Sequence, residues 1–175
     1  VAQVLPAMLK MVKYFPDYQF VLAGVKNLPD ELYLNIIRVL PVRLLRDKTY
    51  EVLYISEAAL VTSGTATLET ALFNVPQVVC FRGDFFSMII AWIVIKVEYI
   101  SLVNLILGYE AVKELIQYSL NERNLLNELK AILNGGSRRE KILEDYKKIR
   151  QILGPAGASE RIAGDMVEQL RRVNE

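Results

Sequence analysis

A chain of 175 residues is long enough for one domain that buries roughly two-thirds of the surface its unfolded form exposes. Twenty-one Lys and Arg against twenty Asp and Glu leave a formal charge of +1, which gives no electrostatic reason to expect nucleic acid as a partner. The lone Cys80 excludes a disulfide framework, and with no histidine there is no catalytic triad, no imidazole base and little from which to build a zinc site; the usage suits a reducing cytoplasm.

Val4, Leu5, Met8, Leu9, Met11 and Val12 recur at helical spacing and predict a helix from residue 1 to about 14. This start inside an element carries the expectation that a segment upstream has been removed; no signal peptide is legible. Strands are predicted at 18–24, 42–45, 58–62 and 77–81, each a short apolar or β-branched run. Helices are predicted between them at 29–38, 50–55 and 63–73, the last broken by Asn74-Val75-Pro76. After Phe81 come an apolar helix over about 84–95, an irregular stretch over 97–108, and helices over 110–117, 121–133, 138–152 and 158–173. The alternation predicts a single α/β domain: a Rossmann-like parallel sheet with flanking helices over 1–82, and a mostly helical extension over 83–175.

The apolar run Phe85–Ile95 is eleven residues long, interrupted only by Ser87, whereas a membrane-spanning helix needs about twenty. It reads as a core helix; contact with a membrane surface is the sharper alternative. The pairs Arg138-Arg139, Lys147-Lys148 and Arg171-Arg172 read as solvated helix faces.

An open parallel sheet binds ligands beyond the carboxyl ends of its strands. The loop after residue 62 is the richest of these. The strand Ala59–Thr62 delivers the chain to Ser63-Gly64-Thr65 and straight into a helix. Small residues let a ligand approach the backbone, and the free N–H groups and dipole of the first helical turn favour phosphate. A plain N-cap by Ser63 or Thr65 explains the same residues. Glu69 is not the partner of a capping box, because the residue three before it is Ala66. A carboxylate one turn into the helix can accept hydrogen bonds from a ribose diol, or can simply be solvated.

The segment V-T-S-G-T-A-T-L-E-T-A-L-F-N-V-P-Q-V-V (61–79) resembles the signature of lipid-A-disaccharide synthases. Tyr99-Ile100-Ser101-Leu102-Val103-Asn104-Leu105 is similar to that family's Y-(I/V)-(S/G)-L-P-N-(I/L), and Val112–Gln117 to its V-(K/P)-E-L-L-Q. The likeness runs in order from residue 1 to about 135. Arg82 stands where an arginine or lysine often follows the P-x-V-V strand. Val103 replaces the usual proline and Tyr109 a frequent arginine.

The resemblance implies a GT-B glycosyltransferase with two Rossmann-like domains, of which this chain is the C-terminal, donor-binding half without its first strand. The implied reaction joins a UDP-activated diacylglucosamine to diacylglucosamine 1-phosphate in a Gram-negative bacterium. The implied partners are the UDP-sugar donor, the lipid acceptor and the N-terminal domain, which carries the catalytic base; no catalytic residue is expected in this chain. A G-S-R loop is expected upstream, and Gly136-Ser137-Arg138 is not that loop. Ser63, Gly64, Thr65, Glu69 and Arg82 are the candidate nucleotide-sugar-binding residues. Asn104 joins them as an amide for uracil, ribose or phosphate, or else is a buried structural residue.

No metal or other cofactor is expected, because no Asp-x-Asp or acidic cluster occurs and the helix end can stabilise the departing diphosphate. The implied location is cytoplasmic, peripheral on the inner face of the inner membrane. Two rivals remain: another UDP-sugar GT-B enzyme of the muramyl-peptide N-acetylglucosaminyltransferase type, and a non-catalytic α/β binding module.

Overall fold

The strands form where short apolar runs meet turn residues, as the sequence predicts: β1 at Phe20–Gly24, β2 at Val42–Arg46, β3 at Ala59–Thr62 and β4 at Gln77–Phe81. The computed structural model describes residues 3–62, 64–83 and 98–155, with 157, 162–164, 166, 167 and 169. Ser63 and the predicted apolar helix over 84–95 lie outside the described residues, as does most of the predicted helix 158–173. Its described residues are helical and exposed.

Helices α1 (Leu5–Leu9), α2 (Asp30–Ile37), α3 (Thr49–Ile55) and α4 (Thr65–Leu72) follow the expected alternation; α1 tightens into a 3-10 turn over Lys10–Tyr14. Then α5 (Leu102–Leu107), β5 (Lys113–Ile116), a 3-10 turn over Gln117–Ser119, α6 (Glu122–Ile132) and α7 (Arg139–Leu153) follow. Two corrections stand here. The stretch expected to be irregular contains α5, with Ser101 as its N-cap and Gly108, left-handed at φ 74°, at its C-cap. The helix expected over 110–117 is instead the strand β5. Lys, Glu and Leu favour helix in isolation, but parallel pairing along β4 overrides that weak preference.

All pairing is parallel. β1 pairs with β2, and β4 lies between β3 and β5. Val78, Val79 and Cys80 of β4 are fully buried, packed with Met11, Phe15, Leu125, Leu129, Ile132, Ile142 and Tyr146. Burial pushes the Cys80 thiol up to about 12, so it stays a neutral, unreactive core group. Leu5, Leu9 and Val12 turn the other way and pack with Tyr33 and Ile37 against β1 and β2. The α1 segment therefore bridges both groups of strands.

Helix α4 ends in a Schellman motif: Val75 N donates to Thr70 O at 3.1 Å and Asn74 N to Ala71 O at 3.0 Å, with Asn74 at φ 59°. Arg150 of α7 donates to Leu72 O at 3.0 Å and to the Asn74 side chain, tying α7 to that end. Arg139 is not a solvated residue either; it donates to Glu57 O at 2.9 Å and Ile132 O at 3.1 Å.

Buried Asp145 anchors α7 more strongly, accepting from Tyr109 Oη at 2.7 Å and from Lys141 and Lys148 at 2.8 Å each. Burial opposes its charge, but the hydrogen bonds from Lys141, Lys148 and Tyr109 outweigh that and hold the carboxyl below its usual range. Because the folded value is the lower one, this contribution is complete above the unfolded value of about 3.9 and disappears as pH falls through the folded value. Asp145→Asn should therefore cost stability in urea titrations at about pH 7 and much less at about pH 2. An equal cost at both would show that the charge does not matter.

Candidate functional site

Because β3, β4 and β5 run parallel, with Thr62 beside Cys80 and Cys80 beside Leu115, the chain leaves all three at one edge. That edge carries the Gly64 turn, Arg82-Gly83 and Gln117-Tyr118 in strand order. It is the expected ligand-binding edge of such a sheet.

At the first position, Gly64 adopts φ 119° and ψ −159°, a conformation open in practice to glycine alone, and provides no side-chain cap for α4. The N–H groups of Thr65 and Ala66 begin the helix and have no intrahelical acceptor. Thr65 is exposed. Glu69 is half-buried one turn further along, and its carboxylate forms no hydrogen bond or ion pair with any described residue. The unpaired N–H groups and dipole of a helix's first turn are the general features that attract a phosphate group.

The neighbouring helix end is the opposite case. At the start of α5, Ile100 N and Ser101 N donate to the Glu114 carboxylate at 2.9 Å each. Leu102 N donates to Thr67 Oγ1 at 3.2 Å, and Asn104 N to Ser101 Oγ at 3.3 Å. Its donors are consumed by the protein itself, whereas the Thr65 and Ala66 N–H groups of α4 have no acceptor among the described residues.

Asn104 belongs to that closed end. Its Nδ2 donates to Val112 O and to Glu114 Oε1, both at 2.9 Å, while Oδ1 accepts from Ala111 N at 2.9 Å and Val112 N at 3.0 Å. It is fully buried, with every donor and acceptor position used. The structural alternative is the one its geometry supports, and it has no polar atom left for a nucleotide. Val103, in the first turn of α5, fills the core where proline would also be tolerated. Tyr109 is spent on the Asp145 carboxylate of α7.

At the second and third positions, Arg82 donates to Leu120 O at 3.0 Å and Gln117 Nε2 to Gly83 O at 2.9 Å. Together with Gly83 and the exposed Tyr118 they line a cavity of about 320 Å³. Gln117 sits at φ 51°, a left-handed backbone that costs a non-glycine residue roughly 1 kcal/mol. Gln117 and Tyr118 escape a reading by pattern because that reading makes 110–117 a helix; the strained turn after β5 is what brings them to the edge. Among the described residues no group of three or more acidic, His or Cys side chains is placed to hold a metal ion. No helix among them is long and apolar enough to cross a membrane.

The chain matches the family model described as lipid-A-disaccharide synthetase over residues 1–163. A protein of Syntrophus aciditrophicus named lipid-A-disaccharide synthase is 38% identical over 171 residues, covering 93% of this chain and 44% of that protein. The protein of the same name from Anaeromyxobacter dehalogenans is 34% identical over 176 residues, 97% of this chain and 46% of its own length. That from Myxococcus xanthus is 34% identical over 127 residues, 73% and 33% respectively. The chain thus spans less than half the length of these relatives.

Proposed function

The chain belongs to the lipid-A-disaccharide synthetase family, and on that premise we propose that it is the donor-binding half of a glycosyltransferase of lipid A biosynthesis. The donor is a UDP-diacylglucosamine and the acceptor diacylglucosamine 1-phosphate. In this assignment the diphosphate sits on the open N-terminus of α4, received by the Thr65 and Ala66 N–H groups with Ser63 and Gly64 at the turn. Glu69 accepts from the ribose hydroxyls. Arg82, at the next strand end, adds positive charge.

The observation that carries this assignment is the contrast between two adjacent helix ends, one closed by Glu114, Thr67 and Ser101 and one with no acceptor among the described residues, beyond a glycine turn. As the glycosidic bond to UDP breaks, negative charge develops on the diphosphate; fixed N–H dipoles stabilise it without reorganising. The base that deprotonates the acceptor comes from the other half of the enzyme. Within this chain, the α1 segment packs across both strand groups. The enzyme works in the cytoplasm, peripheral on the inner face of the inner membrane.

Steady-state kinetics on the full-length enzyme test the assignment. Glu69→Gln should raise KM for the UDP-sugar about tenfold with a smaller change in kcat, the pattern of lost ground-state binding. An unchanged KM would remove Glu69 from the donor site. The 175-residue chain alone should show no transfer.

A further inference from the structure

The open and closed helix ends are joined through a single side chain. Thr67 is fully buried, and its Oγ1 donates to Gly64 O at 2.8 Å while accepting from Leu102 N at 3.2 Å. Thr67 N donates to the same Gly64 carbonyl at 3.1 Å. The Gly64 peptide, which sets the direction of the first α4 N–H groups, is therefore held twice by one residue. Leu102 in turn follows Ile100 and Ser101, whose N–H groups the buried Glu114 carboxylate fixes, together with Ser101 Oγ at 2.7 Å. A continuous path runs from the middle of β5 to the glycine turn: Glu114, Ser101, Leu102 N–H, Thr67 hydroxyl, Gly64 carbonyl.

We infer that Thr67 is a positioning residue for the anion-binding turn, and that Glu114 acts through it by fixing the start of α5. The inference rests on the donor-site assignment above. Neither side chain touches the ligand; Thr67 holds the Gly64 carbonyl back so that the next N–H groups point out of the helix end. A hydroxyl is needed because one atom must donate to Gly64 O and accept from Leu102 N. Valine has the same shape and can do neither.

The test compares UDP binding, by calorimetry on the full-length protein, among three variants. Thr67→Val should weaken UDP about tenfold, the usual worth of a lost buried hydrogen bond. Thr67→Ser keeps the hydroxyl and should bind within about twofold of the parent. Thr70→Val is the control. Thr70 is equally buried on the same helix, but its hydroxyl donates at 2.7 Å to Ala66 O within the helix, so UDP affinity should not change.

Equal weakening in Thr67→Val and Thr70→Val, or failure of Thr67→Ser to restore binding, would overturn the positioning role. Parent-like binding by Thr67→Val would overturn it as well. A parent protein that binds no UDP would instead sink the donor-site assignment beneath it. If Thr67→Val does not fold, Glu114→Gln carries the test: it places an amide donor against Ile100 N–H and should weaken UDP by several-fold, and unchanged affinity counts against the inference.

Discussion

Gly64→Ala should raise the dissociation constant for UDP by about ten- to a hundredfold while lowering stability by only about 1–3 kcal/mol. The reason is conformational and not steric. A Cβ at Gly64 would meet nothing within 4 Å, yet φ 119° with ψ −159° is closed to alanine. Alanine must therefore swing the turn into another region, and the first-turn N–H groups swing with it.

Gly108→Ala isolates the effect. That glycine also has positive φ, 74°, and open space for a Cβ, but it ends α5, at the opposite end from Leu102, whose N–H meets Thr67. It should cost about 1 kcal/mol of stability and leave UDP affinity unaltered. Affinity losses of the same size in both would mean that UDP binding merely follows stability.

The second large effect is on the fold. Glu114→Leu should destabilise the protein by about 3–5 kcal/mol, or roughly 10 °C or more in Tm. The carboxylate is buried with no basic partner among the described residues, and it takes four donors: Ile100 N, Ser101 N, Ser101 Oγ and Asn104 Nδ2. Leucine fills the volume but strands them all, and each unpaired buried donor costs about 1–3 kcal/mol before relaxation. Thermal unfolding of parent and variant measures the loss. A shift under about 3 °C would show that water replaces the carboxylate.

Glu114 also shows where the sequence could and could not be read. The strands β1 to β4 are legible because they are short apolar runs bounded by turn residues, and the glycine turn before α4 is legible from small residues at a strand end. The stretch 110–117 is not, because Lys113, Glu114 and Leu115 are helix formers and the pairing that makes them a strand is with β4, over thirty residues away. Once 113–116 is a strand, Glu114 faces the start of α5, and the two family-like stretches 99–105 and 112–117 become one hydrogen-bonded unit.

Asn104 illustrates the complementary limit. An amide in a loop near a nucleotide site has the same one-letter pattern whether it binds ligand or backbone, and only its four internal bonds decide. The short helix α5 carries its own marks, Ser101 before it and Gly108 after it, but the six residues between them are few enough to miss.

The most direct test of the α4 turn as the diphosphate site is a UDP titration of the full-length protein labelled with 15N-glycine and 15N-threonine. The amides of Gly64 and Thr65 should shift progressively and saturate with the calorimetric affinity, while Gly108 stays in place. Saturable UDP binding with Gly64 and Thr65 unmoved would contradict the account.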